Sequence, residues 1–535
     1  VTPEDWIAHD PDPATAAEVA GWSDDERAAR FAAPLRFGTA GLRGPVRGGP
    51  DAMNLAVVLR ATWAVAQVLI ARRRAGATVV VGRDARHGSA EFAAATAEVL
   101  AAAGFSVLRL PDPLPTPVVA FAVRQTGAAA GIQITASHNP AGDNGYKVYF
   151  DGGVQIATPV DTEIEAAMAA APPADTIARR PVPPAGGELL QRYIARAAAV
   201  RRHRGQIRVA LTPLHGVGGA LAVDVLRAAG FGDIHTVASQ FDPDPDFPTV
   251  VFPNPEEPGA ADELLALAAD VDADIAIALD PDADRCAVGV GGPDGWRMLT
   301  GNETGWLLGD YLLSALPEGR ASGAVVASSV VSSRMLASIA GRYGARHVET
   351  LTGFKWLARA DADLPGVLVY AYEEAIGYCV DPDAVRDKDG ISAAVLACDL
   401  VSALRERGAS VAGALDELAR RHGVHVTDAV TRRVADTAEA TAVMARLRAD
   451  PPGALAGFAV TASDLLHRPG PTTDALEFAG RRDGTSVRLV VRPSGTEPKL
   501  KCYLEVAREP SDDPAGDRAE ASRVCAAVAD EVRTW

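Results

Sequence analysis

The chain has 535 residues, 48% of them apolar and 23% charged, which is globular material too long for one core and suggests three or four domains. Its formal net charge of −17 opposes broad association with nucleic acid or an anionic membrane, so any anion site must be built locally. Five cysteines, an odd number with no CxxC pair, argue against a disulfide framework or a zinc site and fit a reducing compartment.

In chain order, the opening VTPEDWIAHDPDP is acidic and broken by prolines, unlike a secretory signal, and the expected location is the cytoplasm. FGTAGLRG (37–44) offers glycines and Arg43 as a clamp for an anion, or simply a flexible turn before a helix. MNLAVVLRATWAVAQVLIARR (53–73) carries Arg60 mid-span and is expected to be a buried helix that does not span a membrane. Short β-branched runs then punctuate alanine- and leucine-rich stretches: TVVVG (78–82), GIQIT (131–135), IRVAL (207–211), DIAIAL (274–279), AVVASS (324–329) and VLVYAY (367–372). Strand followed by helix, repeated, predicts α/β modules with ligands at the carboxyl ends of the strands.

The first such end is TASHNP. Pro140 keeps a helix from starting at once, so Ser137 is expected on an exposed turn, as nucleophile or phosphate carrier or as an ordinary turn residue. GDNGYKVYF follows, and an Asn-Gly reversal is expected to bring Lys147 back toward Ser137, where crowding by cations would lower its pKa enough for it to act as base. APPADTIARRPVPPAGG (171–187) resembles a connector.

Two stretches alternate aspartates. FDPDPDFP (241–248) is held by three prolines and is expected to be a solvated loop. DPDADR (280–285) ends the apolar strand DIAIAL, and in an extended loop Asp280, Asp282 and Asp284 share one side, a set of hard oxygen ligands suited to Mg²⁺. An EF-hand is excluded, because Arg285 and Gly291 stand where glycine and glutamate are required. A haloacid-dehalogenase phosphatase is a runner-up, since Asp284 departs from its D-x-D-x-T/V pattern.

YEEAIGY (372–378) presents Glu373 and Glu374 after an apolar strand, a pair that can accept hydrogen bonds from sugar hydroxyls, with Lys355 (LTGFKW) and Lys388 (RDKDG) as candidate cations. In RPSGTEPK (492–499), Arg492, Ser494, Gly495 and Thr496 make a compact phosphate cradle. SVRLVVRPS and KLKCYLEV are expected to pair antiparallel over a terminal helix. Breaks near 171–187, 316–323 and 450 then give 1–205, 206–322 and 323–445 as three similar α/β modules with mixed sheets, and 446–535 as a smaller α+β domain.

TASHNP, DPDADR, EEAIGY and RPSGTEPK, in this order, resemble the α-D-phosphohexomutase family. FGTAGLRG, LTGFKW, EEAIGY and RDKDG are most similar to its branch of phosphopentomutase, glucose-1,6-bisphosphate synthase and bacterial phosphoglucomutase or phosphomannomutase. The resemblance implies a heart-shaped, four-domain protein around a central cleft, and an intramolecular phosphotransferase moving a phosphoryl group between C1 and C6 of a hexose phosphate. It implies Ser137 as phosphoserine, with Asp280, Asp282 and Asp284 holding Mg²⁺ together with a phosphoserine oxygen. Glu373 would grip sugar hydroxyls, while Arg492, Ser494, Gly495 and Thr496 would bind the non-reacting phosphate. Arg43, His138, Lys147, Arg285, Thr352, Gly353, Lys355, Glu374 and Lys388 would complete the site. A sugar 1,6-bisphosphate is the implied activator and a small sugar phosphate the implied partner, with no nucleic acid or membrane, in a monomer or dimer. Where bacterial phosphomannomutases place a serine and a histidine after the glutamate, this chain has Ala375 and Gly377, so Lys388 or Lys355 is expected to take the histidine's place.

Overall fold

Runs such as Val79–Val81 and Ile275–Leu279 have no solvent-facing side, and such strands are stable only with both sheet faces covered. The computed structural model satisfies this with helices. It describes residues 2–38, 41–317, 319–468, 472–493 and 499–535, with only the backbone of residue 437. The chain forms two compact units, Val1–Thr300 with Val369–Glu406, and Gly301–Leu368 with Arg407–Trp535.

In the first unit, one sheet runs in the order Leu42–Pro45, Asp143–Phe150, Ala130–Ile134, Thr78–Arg83, Ser106–Arg109. Thr78–Arg83 is parallel to both neighbours, whereas Asp143–Phe150 is antiparallel to both of its own, so the sheet is mixed. The helix Leu55–Ala71 covers one face, as its apolar sequence requires. A second mixed sheet runs Gly295–Met298, Cys286–Gly292, Ile275–Leu279, Arg208–Thr212, Asp233–Thr236. Antiparallel pairing of Ala371–Glu373 with Gly377–Cys379 and the buried helix Gly390–Glu406 complete the unit.

In the second unit, Ala324–Ser329 runs parallel to Arg346–Thr350. An antiparallel sheet of five strands, Val424–Arg433, Lys499–Arg508, Thr485–Pro493, Leu476–Arg482 and Thr461–Asp464, packs its apolar face on the helix Pro514–Arg533. The expected strand pair and terminal helix are therefore present. The span around Arg60 is a helix with twelve buried residues, and among the described residues no helix is long and apolar enough to cross a membrane.

One local expectation is overturned. Asn144 and Gly145 do not form a reversal but lie within the strand Asp143–Phe150, opposite Gly44 and Arg43. Glycine is required there because a Cβ at Gly145 would lie 2.5 Å from the Thr135 carbonyl oxygen and 2.8 Å from that of Leu42. The chain instead turns at 136–142, one strand-end earlier.

Candidate active site

Ser137 follows the strand Ala130–Ile134 in a left-handed conformation (φ +52°), a strained geometry for a side-chain-bearing residue that persists only when its surroundings fix it. Two groups fix it. The Thr135 hydroxyl accepts from the Ser137 N–H at 2.9 Å, and Arg86 donates to the carbonyl oxygens of Ser137, Asn139, Pro140 and Asp143 at 2.5–3.2 Å. Ser137 is 3% exposed, so the side chain expected on an exposed turn is buried, while residues 138–141 of that turn are partly exposed. Its hydroxyl donates to Asp280 at 2.9 Å and lies 3.3 Å from His138 Nδ1.

Asp280, Asp282 and Asp284 follow the strand Ile275–Leu279 and are at most 1% exposed, each offering an oxygen within 4.8 Å of the others. The loop is a turn and not the expected extended segment. Ala283 is left-handed (φ +51°), its N–H donates to the Asp280 carbonyl at 2.8 Å, and the Arg285 N–H donates to Asp280 Oδ1 at 3.0 Å. Asp282 accepts from Lys147 at 2.6 Å and from the Thr116 hydroxyl, while Asp284 accepts from Lys147 at 2.9 Å and has Lys388 at 3.4 Å.

Burial and the two neighbouring carboxylates push Asp280 well above the usual carboxylate range. Burial acts the same way on Asp282, but Lys147 outweighs it and holds that carboxyl low. Burial opposes charge on Lys147 as well, yet Asp282 and Asp284 raise its pKa. The expected lowering of the Lys147 pKa is thus reversed: the nearest charges are anions, and they hold Lys147 toward the ammonium form. His138 is held well below its ordinary value by burial and by Arg285 and Arg43, which leaves it neutral near pH 7.

Asp282 Oδ1 and Asp284 Oδ1 are buried and accept no hydrogen bond. Orphaned carboxylate oxygens in a three-carboxylate cluster fit a hard divalent cation such as Mg²⁺, which also offsets the charge the three would otherwise concentrate.

Arg43, in the strand Leu42–Pro45, donates to Asn139 Oδ1 at 3.0 Å and borders the serine turn. Gly41 before it has φ +81°, and a Cβ there would sit 1.9 Å from the Tyr146 carbonyl oxygen. Arg285 lies 3.8 Å from Asp284 and 3.9 Å from Glu256. The glutamate turn is joined to the aspartate loop by backbone, through a bridge of Arg285 to Gly377 and the Cys286 N–H donating to Ile376 O at 3.1 Å. Both Glu373 and Glu374 are partly exposed there.

Gly377 has a steric reason. A Cβ on it would lie 2.3 Å from Lys388 Cδ and 3.3 Å from Glu373 Cγ. The missing side chain leaves room for Lys388, whose Nζ lies 3.4 Å from Asp284. In the second unit Arg492 donates to the Thr352 hydroxyl at 2.9 Å, Gly353 has φ +101° and precedes the helix Phe354–Leu357, and Lys355 is buried. Ser494, Gly495 and Thr496 lie outside the described residues.

Sequence reasoning missed Arg86, Thr116 and Gly390. The available signal for Arg86 was RDAR directly after TVVVG, a charged cluster at the carboxyl end of a buried parallel strand. Thr116 stands between two prolines in LPTP and carries no such mark. Gly390 lets its helix meet the aspartate loop, since a Cβ would stand 2.4 Å from Arg285 O.

This fold and this site define a phosphoryl-transfer class. Phosphoglucomutase/phosphomannomutase alpha/beta/alpha domains I, II and III match residues 34–174, 191–292 and 300–422, and the C-terminal domain of that family matches 430–530. The chain belongs to the phosphoglucomutase/phosphomannomutase family, enzymes that isomerise by phosphoryl transfer. It is 39% identical to a "Probable phosphomannomutase" of Haemophilus influenzae over 469 residues, covering 86% of this chain and 94% of that protein. It is 32% identical to a mouse phosphopentomutase (98% and 93% covered) and 31% to a Staphylococcus aureus phosphoglucomutase (92% and 93%). A Burkholderia thailandensis crystal structure of a phosphoglucomutase/phosphomannomutase family protein has the same fold, with TM-score 0.68 at 21% identity, covering 92% of this chain and 97% of that one.

Proposed function

We propose that this protein is a phosphosugar mutase that moves a phosphoryl group between C1 and C6 of glucose or mannose phosphate through phospho-Ser137 and a sugar bisphosphate. The observation that carries this reading is the enclosed Ser137 hydroxyl, 2.9 Å from Asp280 at the edge of a buried three-carboxylate cluster. In the first half-cycle a sugar hydroxyl attacks the phosphorus of phospho-Ser137. The bond from phosphorus to Ser137 Oγ breaks, and Oγ leaves as the incoming hydroxyl gives up its proton.

Lys388, kept an ammonium against the cost of burial by Asp284, is assigned to give its proton to the departing Ser137 oxygen and to recover one from the incoming sugar hydroxyl, while Lys147, Arg43 and Arg285 neutralise charge on the moving group. Mg²⁺, held by Asp280, Asp282 and Asp284, supplies further charge neutralisation when bound. The bisphosphate then presents its other phosphate, and the reverse transfer restores phospho-Ser137. A sugar 1,6-bisphosphate from solution re-primes any enzyme that has lost its phosphate. Glu373 and Glu374 are assigned to sugar hydroxyls and Arg492 with Thr352, Ser494, Gly495 and Thr496 to the non-reacting phosphate. One loop comes from each of the segments 1–205, 206–322, 323–445 and 446–535.

A phosphopentomutase is the second reading, favoured by the mouse relative's 98% coverage of this chain against 86% for the phosphomannomutase relative. Assaying glucose, mannose, ribose and deoxyribose 1-phosphates side by side with a bisphosphate activator separates the two. The mechanism itself is tested by Ser137→Ala, which is expected to abolish turnover and to remove a phosphate-sized increment from the intact mass. Normal turnover by that variant would eliminate the phosphoserine, and release of inorganic phosphate in step with substrate loss would make the protein a phosphatase.

A further inference from the structure

Residues 2–33 precede the segment matched to the family's first domain, and they form three helices, Pro3–His9, Pro13–Ala20 and Asp24–Ala32. Trp6, 5% exposed, anchors them, with Phe31 edge-on at 6.1 Å. Where this anchor meets the helix Leu55–Ala71 the first unit holds two cavities, of about 250 and 340 Å³, and both are lined by Trp6 and Arg60. Each exceeds the roughly 150 Å³ void that accommodates a benzene ring. The walls of the larger include Phe31, Leu35, Val57 and Met168, and those of the smaller include Ala56 and Pro172.

Arg60 is the charged residue that lines both cavities, beside Asp5 and His9 in the smaller and Arg36 and Glu165 in the larger. Its Nε is buried and makes no hydrogen bond, and its one hydrogen bond is a 3.3 Å donation to the Met168 carbonyl. Among the described residues no carboxylate lies within 4.0 Å of it, and burial alone lowers its pKa. The other cations lining the cavities are engaged, Arg36 with Glu165 at 3.8 Å and His9 with Asp175 at 3.0 Å. In a chain of net charge −17, a half-buried guanidinium without an acid partner, beside Trp6, Phe31, Leu35 and Val57, is a local attraction for an anion that carries an apolar body.

We propose that the paired cavities bind a small organic monocarboxylate with an apolar body, its carboxylate on Arg60 and its body against Trp6. A guanidinium receives a carboxylate along two parallel N–H bonds, so one arginine is sufficient for a monoanion. A phosphate dianion is disfavoured, because Arg60 is the one cation free of an acid here while Asp5 and Glu165 share the walls. The site lies between the N-terminal helices, the helix Leu55–Ala71 and residues 165–174, and uses none of the residues assigned to phosphoryl transfer.

The test uses the full chain and three ring probes, phenylacetate, benzyl alcohol and benzylphosphonate, titrated by saturation-transfer NMR. Phenylacetate is expected to saturate below about 10 mM and to bind about tenfold more tightly than either other probe. Excess hexose 1-phosphate should leave this binding unchanged. Arg60→Met, which keeps the volume but not the charge, is expected to lose the preference for phenylacetate while retaining mutase turnover. Ala56→Leu, which fills the smaller cavity, should weaken phenylacetate binding without touching Arg60, and it serves if Arg60→Met does not fold. No saturation, equal binding by the wild type and both variants, displacement by hexose phosphate, or tighter binding of the phosphonate would each overturn the proposal.

Discussion

Residues 280–284 and 242–246 carry the same pattern, aspartate at every second position, and come to opposite ends. The first three are buried and converge within 4.8 Å. Of the second three, Asp242 and Asp246 are exposed, and Asp246 serves only to meet the His87 ring at 2.7 Å. The difference lies in what precedes and surrounds the loops. Ile275–Leu279 is buried at every position and delivers Asp280 into the sheet's carboxyl end, where Lys147, Thr116 and Arg285 receive the charges. Asp233–Thr236, at the far edge of the same sheet, is partly exposed and is followed by a short 3-10 turn, so the second loop meets solvent. Alternation alone therefore carries no chemistry; burial and counter-charges do.

The sharpest way to break this contrast is a pair of isosteric changes. Asp282→Asn keeps the shape but removes a charge on which Lys147 and the proposed cation both depend, and kcat is expected to fall about 10³-fold or more. Asp242→Asn should change kcat less than about twofold, since exposed substitutions rarely matter. Equal losses in the two variants, measured as mutase turnover at saturating Mg²⁺, would show that burial was not the deciding difference.

The contrast is not complete, because the solvated loop has a task of its own. Phe247, left-handed at φ +47° and 3% exposed, lies under the Arg86 guanidinium at 4.9 Å. Arg86 in turn holds four carbonyls of the serine turn. Arg86→Met is expected to lower kcat about 100-fold, the scale of a misplaced reacting group, with KM for the sugar phosphate nearly unchanged. A KM rise at constant kcat would make Arg86 a substrate ligand and not a positioning residue.

How far the sequence was legible follows the same line. Ser137 and the aspartates could be read because short isoleucine-bearing strands, GIQIT and DIAIAL, end just before them, and strand ends are where ligands bind. The strand at 324–329 was found to the residue. Arg86 was illegible because its partners are carbonyl oxygens, which leave no trace in side-chain type. Asn144-Gly145 misled because Asn-Gly usually signals a hairpin, while here glycine answers crowding from strands on either side. The charge state of Lys147 depended on which neighbours were nearest, and that is a property of the fold.

Gly377→Ala probes the glutamate turn with a smaller effect, expected near tenfold in kcat. The new Cβ would overlap Lys388 Cδ at 2.3 Å, and overpacking of this kind costs about 1–3 kcal/mol or moves the flexible chain aside. Displacement of the ammonium from Asp284 should appear as a changed pH profile of kcat. Activity and profile both like the wild type would remove Lys388 from the proton-transfer role.

The smallest expected effect belongs to Phe247→Leu. Leucine keeps most of the buried surface but has no ring face for the guanidinium, and such a contact contributes about 0.5–2 kcal/mol. Because Arg86 still has four carbonyl acceptors, the arginine should stay in place and the loss should appear as stability, about 1–2 kcal/mol, with kcat reduced less than about threefold. Denaturant unfolding beside turnover distinguishes the cases. If Phe247→Leu instead lowered kcat as far as Arg86→Met, the proline-rich loop would be aligning the serine turn through Arg86, and its kinship with the aspartate loop would be functional after all.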